Sequence, residues 1–502
     1  MNAYTPEAIR GAEKYLFENN RAKPLELMKM AASGMYEAVS YKLKKFDVIC
    51  VLCGKGNNAG DGYELARILR AQGHNVLCIS VFGTAPATDI AKDRHDAFLA
   101  EGGRIETDFK AAKRVLTCAD IIIDAIFGIG FSGVIEQSSV IYKLIDTANY
   151  ARGYKIALDV PSGIRSGDGS VGNIAFIANE TLTVSEYKIG MLSYPARAFC
   201  GLVEKIDIGI PVDLLDRFEK RHIVPDDKYV YSVLPKRQEI SNKGDFGRLL
   251  CMCGSSNMTG AAVLSVGAAL RAGTGLVTLV SEESVCDSVK HRLLEPIYKN
   301  IDYENYKKED LIYELHKSSA VLVGCGLGIS DSKKKLLYDI IRNAPCQLVI
   351  DADGINMLAD NINILKEAKK VPIITPHPGE FARLSGNDVT YINDNRIKCA
   401  LDFSEKYNCI TVLKGAGTIT ASPDGRYTVN ISGNPGLAKG GSGDVLAGLI
   451  SGLVCNSRIG AFDAASCGVY LHGRAGDVLK EKYSEYGYLP SELAVEIAKM
   501  LP

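Results

Sequence analysis

The sequence predicts an α/β protein of two successive doubly wound, mostly parallel sheets. Three observations carry that expectation. Short apolar runs of strand length alternate with helical stretches from residue 47 onward. Over 213–240 the alternation lapses into charged, Pro-containing sequence, including Asp226-Asp227-Lys228 and Leu234-Pro235-Lys236, and it restarts at 248. A chain of 502 residues also exceeds one ordinary domain and suits two or three, each able to bury a full core. The expected division is a first domain over 1–212, a boundary over 213–240 and a second domain over 241–502. Neither a repeat between the halves nor a low-complexity tract is visible.

Residues 5–19 and 24–43 read as helices, with Thr5 as N-cap, Pro6 at the first helical position and Pro24 opening the second. A buried strand is expected over 47–53, a turn over 54–62, a helix over 63–72 and a second strand over 75–81, which together form a βαβ unit. Further strands are expected at 121–125, 156–160, 181–185 and 203–207. In the second half the expected strands are 248–253, 276–280, 320–323, 347–351, 372–375 and 410–413, with a turn over 254–259 and a helix over 260–272.

Composition excludes several classes. A hydrophobic share of 47% and a charged share of 23% are those of a soluble globular protein, and a net charge of −1 provides no basic field for nucleic acid or anionic membrane. Fourteen cysteines are scattered through the chain, several inside apolar runs such as Val48-Ile49-Cys50-Val51-Leu52-Cys53, and read as reduced core thiols. Cys50 and Cys53 fall on opposite sides of a strand, which argues against a metal or redox pair. The start has no basic region followed by an apolar one, and no uncharged run is long enough to span a bilayer, so a cytoplasmic location is expected.

In the first half, Gly54-Lys55-Gly56-Asn57-Asn58-Ala59-Gly60-Asp61-Gly62 joins a strand to a helix, where phosphates and dinucleotides dock. The next strand ends Ser80-Val81-Phe82-Gly83 and lacks the acidic residue that holds a ribose in NAD-dependent dehydrogenases, so a Rossmann-like sheet is expected without that activity. Asp124 and Asp159 end two other strands and should meet Asn58 in one crevice. Carboxylate, amide and carbonyl oxygens suit a hard cation there; equally, the aspartates could cap loops and helices. These segments, with Asp124 to Gly130 and Asp159-Val160-Pro161-Ser162-Gly163, resemble the epimerase domain of the bifunctional NAD(P)H-hydrate repair enzymes over about 1–212. The resemblance implies interconversion of the R and S forms of NADH or NADPH hydrated at ring carbon six. It implies substrate contacts at Asn57, Asn58, Ala59, Gly60 and Asp61, at Gly128, Ile129, Gly130, Phe131, Ser132, Gly133 and Val134, and at Asp159, the expected proton-transfer group. It further implies potassium held by Asn58, Asp124 and Ser162. Ala59 stands where the family usually has Gly and would strain the turn if a positive φ were required.

The second half closes on Asn434-Pro435-Gly436-Leu437-Ala438-Lys439-Gly440-Gly441-Ser442-Gly443-Asp444, which runs into an apolar helical segment. Such a turn bares N–H groups at a helix start for an anion, and the carboxylate of Asp444 beside it suits a base that takes a proton from an attacking hydroxyl. A mere cap is the plainer reading. Gly254 to Ala262 and Gly324-Cys325-Gly326-Leu327-Gly328 are bare strand ends that suit close substrate approach or tight packing equally well. Asp351-Ala352-Asp353-Gly354 and Thr375-Pro376-His377-Pro378-Gly379-Glu380 follow buried strands, with the prolines fixing the direction of His377. Lys414-Gly415-Ala416-Gly417-Thr418 adds a cation and an open backbone. With no Walker sequence, these parts describe phosphoryl transfer on a ribokinase-like fold.

In this order the motifs resemble the family's ADP- or ATP-dependent NAD(P)H-hydrate dehydratase domain over about 226–502. That implies nucleotide contacts at Lys414, Gly415, Ala416, Gly417, Thr418 and Gly443, and hydrate contacts at Ala262, Gly326, His377 and Asp444. It also implies magnesium on the nucleotide and ADP as the usual donor. The expected partners are the hydrated cofactors NADHX and NADPHX and ADP, within a homo-oligomer. A small-molecule kinase of hydroxymethylpyrimidine or sugar type fused to a nucleotide-binding domain is the competing enzyme, and a pair of inactive nucleotide-sensing domains the competing binder.

Overall fold

The computed structural model describes residues 1–219 and 222–502. Its chain divides into two compact units, Asn2–His222 and Ile223–Pro502, the latter taking in Met1.

In the first unit seven parallel strands run in the spatial order Arg104–Glu106, Asn75–Ser80, Val48–Cys53, Ile121–Ala125, Tyr154–Leu158, Glu180–Val184 and Leu202–Ile206. This is 3-2-1-4-5-6-7 in chain order, so connections diverge between Val48–Cys53 and Ile121–Ala125 and open a crevice at their carboxyl ends. Strand pleating sends Ile49, Val51 and Cys53 to one apolar core and Cys50 and Leu52 to the other. The two cysteines therefore face opposite sides, and all fourteen are free thiols.

The helix expected at 63–72 starts six residues early and spans Asn57–Ala71. Asn, Gly and Asp weaken helix propensity, which is why the segment reads as a turn. Packing overrides it: a methyl on Gly62 would lie 2.6 Å from the Ala125 Cβ, and one on Gly60 2.6 Å from the Met28 Cε. Ala59 is accordingly helical, fully buried and outside the positive-φ residues, so the anticipated strain is absent.

The second unit repeats the strand order: Ile297–Asn300, Leu276–Ser281, Arg248–Met252, Ala320–Val323, Gln347–Ile350, Ile373–Ile374 and Ile410–Leu413, all parallel. An antiparallel pair, Ile419–Ala421 and Tyr427–Val429, extends it. The helices Thr259–Arg271, Ser442–Val454 and Ala461–Gly487 pack into one core on its face. The expected boundary stretch 213–240, of which 220 and 221 lie outside the described residues, contains regular structure. It holds the helices Val212–Leu215 and Asp227–Val233, the second capped by Asp226 and tied to the long helix by Tyr229 Oη donating to Asp463 (2.7 Å) and Tyr470 Oη donating to Asp227 (2.8 Å). Such long-range partners leave no local trace in a charged segment. Among the described residues no helix is long and apolar enough to cross a membrane.

Candidate active sites

The crevice of the first unit is a cleft of about 810 Å³. Of the expected contacts, Asn57, Asn58, Asp61, Gly128 to Gly133 and Asp159 line it. Ala59 and Gly60 lie buried behind it, and Val134 is exposed outside it.

Asp124, Asn58 and Ser162 do converge. Asp124 is fully buried; its Oδ1 accepts from Ser162 Oγ (2.7 Å) and Ile126 N–H (3.1 Å), its Oδ2 from Ser162 N–H (2.7 Å). Burial nevertheless pushes its carboxyl up to about 6. The Asn58 amide donates to the carbonyls of Phe127 (2.9 Å) and Leu158 (3.2 Å), while its Oδ1 is buried with no donor. A buried acceptor lacking a donor is the kind of atom a cation satisfies.

Asp159 takes the left-handed backbone at φ 64°, a conformation Asp tolerates better than most residues but which still stores strain. Its Oδ2 accepts from Ile129 N–H (3.2 Å), and its Oδ1 from Val184 N–H (3.3 Å) and Lys188 Nζ. Lys188 is almost wholly buried and also donates to Thr183 Oγ1 (3.0 Å) and the Val184 carbonyl (2.7 Å). An ion pair this buried fixes the carboxylate's direction. Sequence reasoning missed Lys188, and it missed Glu13, which lines the cleft from the first helix. The available signals were a lysine four residues past the end of the sixth strand and a glutamate at helical spacing between Ile9 and Phe17.

In the second unit the glycine turn leads into helix Ser442–Val454. Gly441 supplies the left-handed N-cap at φ 98°, where a side chain would also meet Leu264 at 2.5 Å. Val445 N–H is the first to close an ordinary helical bond, to the Gly441 carbonyl (3.1 Å), leaving those of Gly443 and Asp444 without a backbone acceptor. Asp444, Asp351 and Cys325 bring ligand atoms within 4.8 Å of one another. Lys414 Nζ donates to Asp351 Oδ1 (2.8 Å), as does Thr375 Oγ1 (2.7 Å). Burial, then the facing charge of Asp351, pushes the Asp444 carboxyl up to about 6.

His377 is half-exposed and caps helix Pro378–Ser385: its Nδ1 accepts from Gly379 N–H (3.0 Å) and Glu380 N–H (3.3 Å), so the neutral ring carries its hydrogen on Nε2. Burial and the positive charges of Lys414 and Arg383 lower its proton affinity. Gly326 is packed against Ala261 and Met258, and Ala262 is fully buried in the apolar core. Asp351 and Arg396 escaped the sequence reading as site residues. Buried Arg396 donates to the carbonyls of Leu413 (2.8 Å) and Lys414 (3.0 Å) and so fixes the Lys414–Thr418 loop; burial brings it down to about 10.

Comparison with known proteins covers both units. The NAD(P)H-hydrate dehydratase family matches residues 249–499 and the YjeF-related protein N-terminus family residues 24–190. The bifunctional NAD(P)H-hydrate repair enzyme Nnr of Thermofilum pendens is 33% identical over 88% of this chain and 87% of its own length. That of Coxiella burnetii is 33% identical over 98% and 97%, and that of Escherichia coli 33% identical over 88% and 83%. A solved structure, the ADP/ATP-dependent NAD(P)H-hydrate dehydratase from Bacillus subtilis co-crystallised with ATP and Mg2+, is 30% identical, covers 55% of this chain and 97% of that one, and superposes with a TM-score of 0.50. With two matching domains in one chain and relatives of this identity along nearly its whole length, the chain belongs to the bifunctional NAD(P)H-hydrate repair enzymes.

Proposed function

We propose that the chain restores hydrated NADH and NADPH, the Asn2–His222 unit interconverting the R and S hydrates and the Ile223–Pro502 unit dehydrating the S form with ADP to give the reduced cofactor, AMP and phosphate. The observation that carries the reading is Asp444. Its carboxyl, raised to about 6, stands at the start of a helix beside unbonded N–H groups and the Lys414–Asp351 pair. A carboxylate of that proton affinity is ionised at neutral pH yet accepts a proton readily from a ring hydroxyl.

Hydroxide leaves a ring carbon poorly, and a phosphorylated hydroxyl leaves easily as the ring nitrogen's lone pair restores the dihydropyridine. Asp444 takes the hydroxyl proton. N–H groups at the helix start, those of Gly443 and Asp444 having no backbone acceptor, hold charge that develops on the transferring phosphoryl, while Lys414 to Thr418 hold the nucleotide. His377, whose Nε2 lies 3.5 Å from Glu380 Oε1, orients the hydrate. The oxygen donors of Asp351 and Asp444 are of the type that would hold magnesium, which would supply positive charge against the nucleotide phosphates.

In the first unit Asp159, oriented by Lys188, moves the proton at the hydrated ring. The unsatisfied Asn58 Oδ1, with buried Asp124 and Ser162, fits potassium, which would supply the counter-charge that Asp124 lacks. The test is incubation of each separated hydrate epimer with ADP or with ATP, following both by chromatography. Reduced cofactor and free phosphate from either epimer are expected. Phosphate retained on the organic product would instead identify a small-molecule kinase.

A further inference from the structure

The first helix, Pro6–Glu18, lays Ile9, Glu13 and Phe17 along the wall of the cleft, about one residue per turn. Between its two apolar neighbours Glu13 holds a half-buried carboxyl that makes no hydrogen bond or ion pair. Arg10, one turn back, acts on it only through its charge, which opposes the rise without reversing it; its guanidinium donates to the Ile129 carbonyl (3.2 Å) and ties the helix to the Gly128–Gly133 loop. Asp61 is a second half-buried carboxyl in the same cleft without a partner. Burial and the facing Asp159 raise the proton affinity of both, and Glu13 adds to the effect on Asp61. Asp159 is the opposite case, its oxygens occupied by the Lys188 ammonium and two N–H groups. One cleft thus holds a carboxylate pinned by an ammonium and two N–H groups and, near it, a carboxyl with no partner whose proton affinity burial raises, two different environments of the kind that separate an acid from a base.

We propose that Glu13 is the second acid–base group of the epimerase reaction, working on the hydrated ring from the helix side while Asp159 works from the sheet side. This rests on the epimerase reading above. In one direction Glu13 gives its proton to the hydroxyl on ring carbon six. The C–O bond breaks, the ring nitrogen's lone pair forms a C=N bond, and water leaves. Water then adds to the other face, its oxygen forming the new C–O bond as the C=N pair returns to nitrogen, and Asp159 takes the released proton. The reverse direction exchanges the two roles, and the displaced proton equilibrates with solvent through the cleft.

The test uses the full chain, both epimers of hydrated NADH, and solvent enriched in heavy oxygen. Glu13→Gln is expected to lower kcat for epimerisation about a hundredfold with KM little changed, Glu13→Asp to recover part of it, and the parent to exchange the ring hydroxyl oxygen with solvent. The charged groups facing Glu13 are Arg10, Asp61, Asp159 and Lys188. The parent's rate of proton donation should decline as pH rises through the Glu13 titration, a limb absent from Glu13→Gln. A Glu13→Gln chain with the parental kcat, or one impaired through KM alone, overturns the proposal while leaving the epimerase reading intact. A parent chain that interconverts nothing sinks that reading itself.

Discussion

Asp444 is a residue whose chemistry and folding energetics oppose each other. Its carboxyl titrates near 6 in the folded chain against 3.8 ordinarily, so the folded state binds the proton more tightly. Stability from this group is full below pH 3.8 and is lost as pH rises to about 6, while a base role requires the charged form above that window. Asp444→Asn is therefore expected to cost at least about a hundredfold in ADP-dependent recovery of reduced-cofactor absorbance and to remove its acid limb. The same change should raise the neutral-pH unfolding free energy by about 1 kcal/mol, measured by urea denaturation, because the charge facing Asp351 disappears. Lys414→Ala acts in the other direction. It strips the ammonium from the buried Asp351 and should cost about 3 kcal/mol in the same measurement, besides abolishing dehydration. Asp159, Asp124 and Asp444 were legible in the sequence because carboxylates at strand ends and after glycines stand out. Glu13, Lys188 and Arg396 were not, since a charged residue on a helix or in a short strand looks solvent-facing until its packing partner is known.

Helix Ser442–Val454 shows how an element serves the site by being thin. A methyl on Gly448 would lie 2.0 Å from the Ser265 carbonyl oxygen, and one on Gly452 2.7 Å from the Ala272 Cβ, so these glycines let the helix press onto Thr259–Arg271. That contact sets where the amino end, with Gly443 and Asp444, is held. Gly448→Val should destabilise the second unit by about 3 kcal/mol in urea and lower dehydration through misplacement of that end, with epimerisation retained. The helix Asn57–Ala71 carries the same lesson for prediction. Its glycines read as a turn, and only the close approach of Ala125 and Met28 shows that they are packing glycines inside a helix.

At the scale of the molecule, two units with separate proposed catalytic groups predict separable defects. Asp159→Asn should block use of the R hydrate alone, and Asp444→Asn dehydration of either form. A mixture of the two variant chains should regain recovery from the R hydrate, measured as reduced-cofactor absorbance, because the S form produced by one chain diffuses to the other. The sequence by itself determined the fold class, the α/β alternation in both halves and the strand-end motifs, since buried parallel strands leave apolar runs and phosphate turns leave glycines. Tertiary structure alone decided that Lys188 pins Asp159, that Asn58 Oδ1 is left without a donor, that Asp351 raises Asp444, and that Glu13 faces the cleft. Each of those facts joins residues far apart in the chain, and charge–charge and desolvation effects depend on distance and burial in space, which no local pattern records.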